Sequence, residues 1–279
     1  MKILITGSDG LIGSNIIPYL STRFDVIPAV EREWDILDRS AGERIVGTDR
    51  PDVLINLAAM TNVDGCEDTP ELAYRVNADG AAVLAEVCRK HTVKLLHFST
   101  DYVFDGAKAS GYTEEDQPNP LSVYGKSKLL GEQMILQLLP GALIIRTEWI
   151  YGDGGENFIT KVRKVASEKG RVEVVDDQRG SPTYAADLAK PIEALITSAR
   201  SGIYHITNSG SCTWFEFARE VFSILQMGAT CVPVSSAQIQ RKAKRPVNSV
   251  LDCSRLQRET GVVLRPWQEA LQAHLARVT

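Results

Sequence analysis

The sequence predicts an α/β fold: a doubly wound parallel sheet of Rossmann type, followed by a smaller, mainly helical C-terminal lobe. Three observations predict it. Short apolar runs rich in β-branched residues recur along the chain, segments with helical periodicity lie between them, and a glycine-rich turn joins the first strand to the first helix. The runs occupy residues 2–6 (KILIT), 25–30, 52–59, 93–100, 142–147, 172–175 and 203–207. Their length and composition suit strands buried on both faces. Residues 70–90 and 127–139 read as helices between strands. Beyond about residue 150 the alternation weakens. Residues 208–279 carry two helical stretches, WFEFAREVFSIL and PWQEALQAHLARV, linked by loops containing Pro and Ser.

Composition excludes several classes of function. The 279 residues carry a net charge of −4, whereas nucleic-acid binders present a basic face. The one basic run, QRKAKRP at 240–246, reads as a solvated loop. Five scattered cysteines form no C-x-x-C pair, which fits reduced thiols in a cytoplasmic protein rather than a disulfide framework or a zinc site. The opening MKILITG reads as a buried strand and not as a signal peptide, and no apolar stretch reaches the length of a membrane span.

The turn ITGSDGLIGSNI places Gly7, Gly10 and Gly13 around Leu11 and Ile12, directly after a strand and at the start of a helix. A backbone that approaches a pyrophosphate closely needs residues without a Cβ, and the helix N-terminus then faces the phosphates. Residues 1–150 are therefore expected to bind a nicotinamide dinucleotide. Residues 151–279 form mainly a substrate lobe, with segments at about 172–207 returning to the first domain. The end of the second strand distinguishes NAD from NADP: an acid bonds the ribose 2′-OH, and an arginine accommodates a 2′-phosphate. Glu31 beside Arg32 offers both, so NADPH and NADH are both expected to serve, NADPH slightly better.

Ser99, Thr100 and Asp101 close the 93–100 strand, at the end of the sheet where ligands bind. Tyr124 and Lys128 stand four residues apart and share one helix face. A nearby ammonium favours phenolate, and Lys128 is expected in this way to lower the pKa of the Tyr124 phenol toward the working pH.

The glycine spacing and the tyrosine–lysine pair resemble the extended short-chain dehydrogenase/reductase family. The motifs LINLAAMTNVD, STDYVFDG, VYGKSKLLGE, IIRTEWIYG, ENF, DDQRGSPTY and RPVNSVLD narrow the resemblance to the dTDP-4-dehydrorhamnose reductases, in order along nearly the whole chain. The resemblance implies NAD(P)H-dependent reduction of the C4 ketone of dTDP-4-dehydro-L-rhamnose. It makes Thr100, Tyr124 and Lys128 the catalytic trio: Thr100 bonds the C4 carbonyl, Tyr124 delivers the proton, and Lys128 bonds the nicotinamide ribose and tunes Tyr124. It sets Asp35 and Ile36 beside the adenine, Ala59, Met60 and Thr61 along the cofactor groove, and Asn77 behind them. Asp101 and Trp149 then meet the sugar, while Asn157, Gln178 and Arg245 hold the nucleotide diphosphate. Some family members dimerise around a magnesium ion held by glutamates, one of them two residues after the third loop glycine. Asn15 stands there, so no metal is expected, and the chain is either a monomer or a homodimer. Two alternatives share the scaffold: another nucleotide-sugar reductase, epimerase or dehydratase, and a non-catalytic subunit resembling the regulatory subunit of methionine adenosyltransferase.

Overall fold

The structure, a computed structural model, describes residues 1–278. Strands β1 (Lys2–Thr6), β2 (Asp25–Ala29), β3 (Val53–Asn56), β4 (Lys94–Thr100), β5 (Leu143–Thr147) and β6 (Gly202–His205) form one six-stranded parallel sheet. Its order is β6-β5-β4-β3-β1-β2. The chain winds outward from β1 to β2, then returns to build β3 on the opposite side. At that switch point the carboxyl ends of β1 and β3 open a crevice.

Each strand feeds two cores, one per face. Along β1, Ile3 and Ile5 enter the first core and Leu4 the second. The same alternation sets Ile55 against Leu54, Leu96 and Phe98 against Leu95, and Ile145 against Ile144. The helices Leu11–Leu20, Ala189–Ile196 and Ser254–Thr260 cover the first core, through Ile16, Leu195 and Leu256 among others. The helices Arg39–Asp49, Gly80–His91 and Val123–Leu138 cover the second.

A third core belongs to the C-terminal lobe. Its helices Phe158–Lys169, Trp214–Ile224 and Trp267–Val278 bury Ile159, Val162, Phe217, Val221 and Leu271 together. The 172–175 run does form a strand, Arg171–Val175, but it pairs in parallel with Thr230–Val234 and stays outside the main sheet. Its burial shows why: Val172 and Val174 face the lobe core, while Arg171 and Glu173 are exposed, so only one face is covered. The return to the main sheet is made by Ala189–Ile196 and β6.

Two helices differ from the periodicity. The 70–90 segment runs from Pro70 to His91 with a π-helical turn at Arg75–Asp79. The 127–139 helix starts four residues early, at Val123, because the Ser122 hydroxyl caps it by accepting the Gly125 N–H at 3.1 Å. Among the described residues no helix is long and apolar enough to cross a membrane.

Candidate active site

The crevice begins at the glycine turn. Gly7 is left-handed (φ +63°), and a Cβ on it would meet the Ala58 nitrogen at 2.7 Å, so the turn presses on the segment leaving β3. Gly13 lies against Ser8, whose carbonyl oxygen would stand 2.2 Å from an added Cβ. Between them Gly10 caps the helix Leu11–Leu20 without a side-chain cap, which leaves the first-turn N–H groups at Leu11 and Ile12 to a ligand. A bare helix start over a glycine-rich turn fits the pyrophosphate of a dinucleotide.

The far end of the crevice carries Glu31, Arg32 and Asp35, all exposed beyond β2. The Asp35 carboxylate accepts the Leu37 N–H at 2.9 Å. Ile36 is buried in the second core against Gly80, so its backbone alone can face an adenine. Across the crevice, Ala59 and Met60 are half-buried and Thr61 is exposed on the segment leaving β3. Asn77, in the π turn, holds this segment. Its Oδ1 accepts the Met60 N–H at 2.9 Å, and its Nδ2 donates to the Met60 carbonyl at 3.1 Å and to Ser127 Oγ at 3.0 Å. Ser127 in turn donates to the Tyr124 carbonyl at 2.9 Å, so the cofactor wall and the catalytic helix are braced together.

Thr100 closes β4 and is buried. Its hydroxyl donates to Asp101 Oδ1 at 2.8 Å and accepts the Tyr102 N–H at 3.2 Å. Tyr124, in the first turn of its helix, meets the edge of Tyr102 with ring centroids 5.8 Å apart, and its hydroxyl lies near the Thr100 side chain. Burial pushes the phenol above its ordinary pKa, the Thr100 hydroxyl opposes this, and the Asp101 charge adds to it. The expected acidification by Lys128 is thus not what the structure holds. Lys128 is buried under the helix and aimed at β4, its Nζ 2.6 Å from the Phe98 carbonyl and 3.2 Å from His97 Nε2. Burial lowers the Lys128 pKa to about 8. A phenol held high keeps its proton at neutral pH, which is the form a proton donor needs.

Beneath this pair lies a buried ion pair. Arg146 on β5 grips both oxygens of Glu132, at 2.9 and 2.6 Å, and the Ser99 hydroxyl donates to the same carboxylate. It ties the catalytic helix to β4 and β5. Two further acids were not singled out together from the sequence. Glu148 is buried, and burial followed by the Asp101 charge holds its carboxyl well above the usual range. Asp101 is pushed up as well, first by burial, and its Oδ2 is buried without a partner. Ser249 Oγ donates to Glu148 Oε2 at 3.0 Å and the Leu251 N–H to Oε1 at 3.1 Å. Glu148 and Ser249 sit inside TEW and RPVNS; the signal was an acid directly after the strand Leu143–Thr147.

Trp149 is left-handed (φ +49°), a rare conformation for so bulky a residue and one that the surroundings must impose. Its ring stacks on Trp214 at 3.5 Å and 6°, and Trp214 rests on Phe158 at 4.6 Å. Trp214 opens a helix fixed by a Thr213–Glu216 capping box; its position in the lobe was invisible to periodicity.

The residues assigned to the diphosphate fare differently. Asn157 is corrected: its Oδ1 accepts the N–H groups of Ile159 and Thr160, and its Nδ2 donates to the carbonyls of Gly152 and Gly155. The amide is consumed as a helix cap, in a capping box formed with Thr160. Gln178 is buried just before Arg179–Gly180. Arg245 spreads its fork over Asp64, with Nη1–Oδ1 3.2 Å and Nη2–Oδ2 2.9 Å, which lowers the Asp64 pKa to about 2. Its charge also reaches the Tyr102 phenol, which places it near the catalytic pocket. Lys242 pairs with Asp68, so the basic run is tethered to the helix Val63–Asp68 as well as solvated. Asn15 clamps the lobe: its Nδ2 donates to the Asp153 carbonyl at 2.7 Å, and its Oδ1 accepts the Asp153 N–H at 3.2 Å.

The chain matches the RmlD substrate binding domain family over residues 1–279. The dTDP-4-dehydrorhamnose reductase of Streptomyces griseus is 41% identical over 276 residues, spanning 96% of this chain and 91% of that protein. The crystal structure of a dTDP-4-dehydrorhamnose reductase from Clostridium acetobutylicum superimposes with a TM-score of 0.97 at 38% identity, covering 100% of this chain and 99% of that one. That of the Bacillus anthracis dTDP-4-dehydrorhamnose reductase in complex with NADP gives 0.96 at 37% identity, covering 99% of each chain.

Proposed function

Because this chain belongs to the RmlD substrate-binding-domain family, alongside the dTDP-4-dehydrorhamnose reductases, we propose that it reduces the C4 ketone of dTDP-4-dehydro-L-rhamnose to give dTDP-L-rhamnose. NADPH, or with slightly less preference NADH, supplies the hydride when bound in the crevice. The observation that carries the reading is the neighbouring hydroxyls of Thr100 and Tyr124 at the carboxyl end of β4, in a sheet whose first strand leads into a capless helix start. Gly7, Gly10, Gly13 and the first turn of the following helix hold the pyrophosphate; Glu31, Arg32, Asp35 and the Ile36 backbone hold the adenosine end. Ala59, Met60, Thr61 and Asn77 wall the groove, and Lys128 bonds the nicotinamide ribose.

Tyr124 gives its proton to the C4 oxygen while the Thr100 hydroxyl holds that oxygen in place. Trp149, stacked on Trp214, offers a flat apolar face to the sugar, and the neighbouring Asp101 meets its hydroxyls. Gln178 and the Arg245 donors not spent on Asp64 hold the diphosphate, and the planar guanidinium suits phosphate oxygens. Binding energy from the nucleotide end then fixes the reacting carbon, which raises the rate of the chemical step and not only affinity.

The test combines purified protein, NADPH and enzymatically generated dTDP-4-dehydrorhamnose, following absorbance loss with product identification. One cofactor oxidised per dTDP-rhamnose formed supports the reading. Sugar conversion without net cofactor consumption would assign the chain to the epimerases or dehydratases. Cofactor binding with no turnover on any dTDP-keto-sugar would favour the regulatory role.

A further inference from the structure

Tyr124 is the second residue of the helix Val123–Leu138, so its phenol moves with the first helical turn. The opening N–H groups of a helix have no partner within it. Two of them are met here from outside: Ser122 Oγ accepts the Gly125 N–H at 3.1 Å, and Glu67 Oε1 accepts the Val123 N–H at 2.8 Å. The two bonds differ in kind. Ser122 belongs to the lead-in of the same helix and moves with it, whereas Glu67 stands 56 residues away, on the helix Val63–Asp68. A carboxylate at a helix N-terminus also meets the positive end of the helix dipole. A second constraint comes from Gly125, on which an added Cβ would stand 2.1 Å from the Tyr102 carbonyl oxygen. The first turn is therefore held by contact with Tyr102 and by a bond to Glu67.

Glu67 is a fixed post because its short helix is anchored on several sides. Asn62 Oδ1 caps that helix by accepting the Gly65 N–H at 3.0 Å, and Cys66 Sγ donates to the Met60 carbonyl at 3.7 Å. Both backbone groups of Met60 are in turn bonded to the Asn77 amide. One turn before Glu67, Asp64 accepts the Ala243 N–H at 3.0 Å and pairs with both terminal nitrogens of Arg245. Lys242 pairs with Asp68 at the end of the same helix. One rigid element thus touches the cofactor wall, the 242–245 segment of the substrate lobe and the start of the catalytic helix. We propose that Glu67 is a positioning residue that, through the Val123 N–H, fixes where the Tyr124 phenol stands relative to the cofactor groove and to Arg245. It touches no reacting atom. Its part is to keep the proton donor in the same frame as the groups that hold the two ligands. The catalytic consequence rests on the reductase reading; the geometry does not.

Hydrogen–deuterium exchange of the full chain without ligand tests the geometry. Glu67→Ala removes the acceptor, and exchange over residues 123–126 should quicken roughly fivefold or more, while β4 stays at its wild-type rate. Glu67→Gln keeps an oxygen for the Val123 N–H and should remain near wild type. Unchanged exchange at 123–126 in Glu67→Ala would overturn the proposal. Turnover of dTDP-4-dehydrorhamnose with NADPH tests the role. Glu67→Ala should lower kcat ~10- to 100-fold with both KM values within about threefold, because placement and not ligand binding is lost. Glu67→Gln should recover most of that rate. In the Tyr124→Phe background Glu67→Ala should cost nothing further, since the phenol it positions is gone. A raised KM with normal kcat, or the full loss repeated in the Tyr124→Phe background, would overturn the role. A wild-type chain inactive on every dTDP-keto-sugar would overturn the reductase reading instead, and the exchange result would then decide the inference alone.

Discussion

Gly13→Ala probes the cofactor cradle at its tightest point. The added methyl would stand 2.2 Å from the Ser8 carbonyl oxygen, 2.7 Å from its carbonyl carbon and 2.8 Å from its Cα. Relief requires a shift of roughly 1 Å, because ordinary carbon contacts lie near 3.5 Å. All three atoms are backbone, so no side chain can swing aside. Ser8 is held from the other side by Gly7, which presses on Ala58. Overpacking of this kind costs ~1–3 kcal/mol, and the better helix propensity of alanine returns up to ~1 kcal/mol. A net loss of ~1–2 kcal/mol lowers the Tm of a chain of this length by roughly 2–4 °C. Cofactor affinity should fall further, because the displaced turn is the phosphate site. Each forfeited hydrogen bond to a charged group is worth ~1.5–3 kcal/mol, roughly 10- to 100-fold in Kd. Thermal denaturation without ligand and a fluorescence titration with NADPH measure the two effects. Gly141→Ala, with nothing within 4 Å of its Cβ, is the control and should leave both unchanged. Wild-type Tm and wild-type Kd in Gly13→Ala would refute the close approach of Gly13 to Ser8.

Tyr124→Phe removes only the proton donor, so kcat should drop ~10²–10⁴-fold with NADPH affinity nearly unchanged; stopped-flow turnover and a binding titration decide it. Arg32→Ala should move the ratio of kcat/KM values toward NADH, and an unchanged ratio would mean that Arg32 points away from the 2′-phosphate. Asn157→Ala should cost ~1–2 kcal/mol of stability through the lost cap, with the KM for the sugar within about twofold of wild type. A large KM effect with an intact Tm would return Asn157 to the substrate. Asp64 has a folded pKa of about 2, below the ~3.9 of an unfolded chain. Its pairing with Arg245 therefore stabilises above pH ~4 and is lost as pH falls from ~4 toward ~2. Arg245→Met should show a Tm deficit at neutral pH that shrinks across that window, whereas a deficit independent of pH would remove the ion pair as its cause.

Periodicity sufficed for the sheet because strands buried on both faces need an apolar centre, as β1 has at 3–5, β3 at 53–55 and β5 at 143–145. It failed where pairing depends on distant chain. Thr230–Val234, with Pro233 inside it, became a strand only because Arg171–Val175 offered an edge. The π turn at Arg75–Asp79 is equally silent in sequence, since it accompanies the Asn77 bonds to Met60 and Ser127. At the site, the chemically distinctive side chains Thr100, Tyr124 and Lys128 were legible from type and spacing. Glu148, His97 and Trp214 were not, because their importance comes from burial and from what they face. Asn157 took its diphosphate role from the resemblance alone, and its amide is instead used locally as the cap of the helix Phe158–Lys169. The acidifying effect expected of Lys128 assumed an ammonium turned toward the phenol, whereas its Nζ is turned to the Phe98 carbonyl of β4 and burial lowers its pKa to about 8.

The central claim is that the hydride reaches C4 of the sugar while Tyr124 protonates its oxygen. It is tested most directly by supplying NADPH deuterated on the transferring face with dTDP-4-dehydrorhamnose, and locating the label by NMR and mass spectrometry. The account predicts one deuterium at C4 of dTDP-L-rhamnose, and no labelled product from Tyr124→Phe on the same timescale. Deuterium at any other carbon, a product carrying no label, or full labelling by the phenylalanine variant would contradict it.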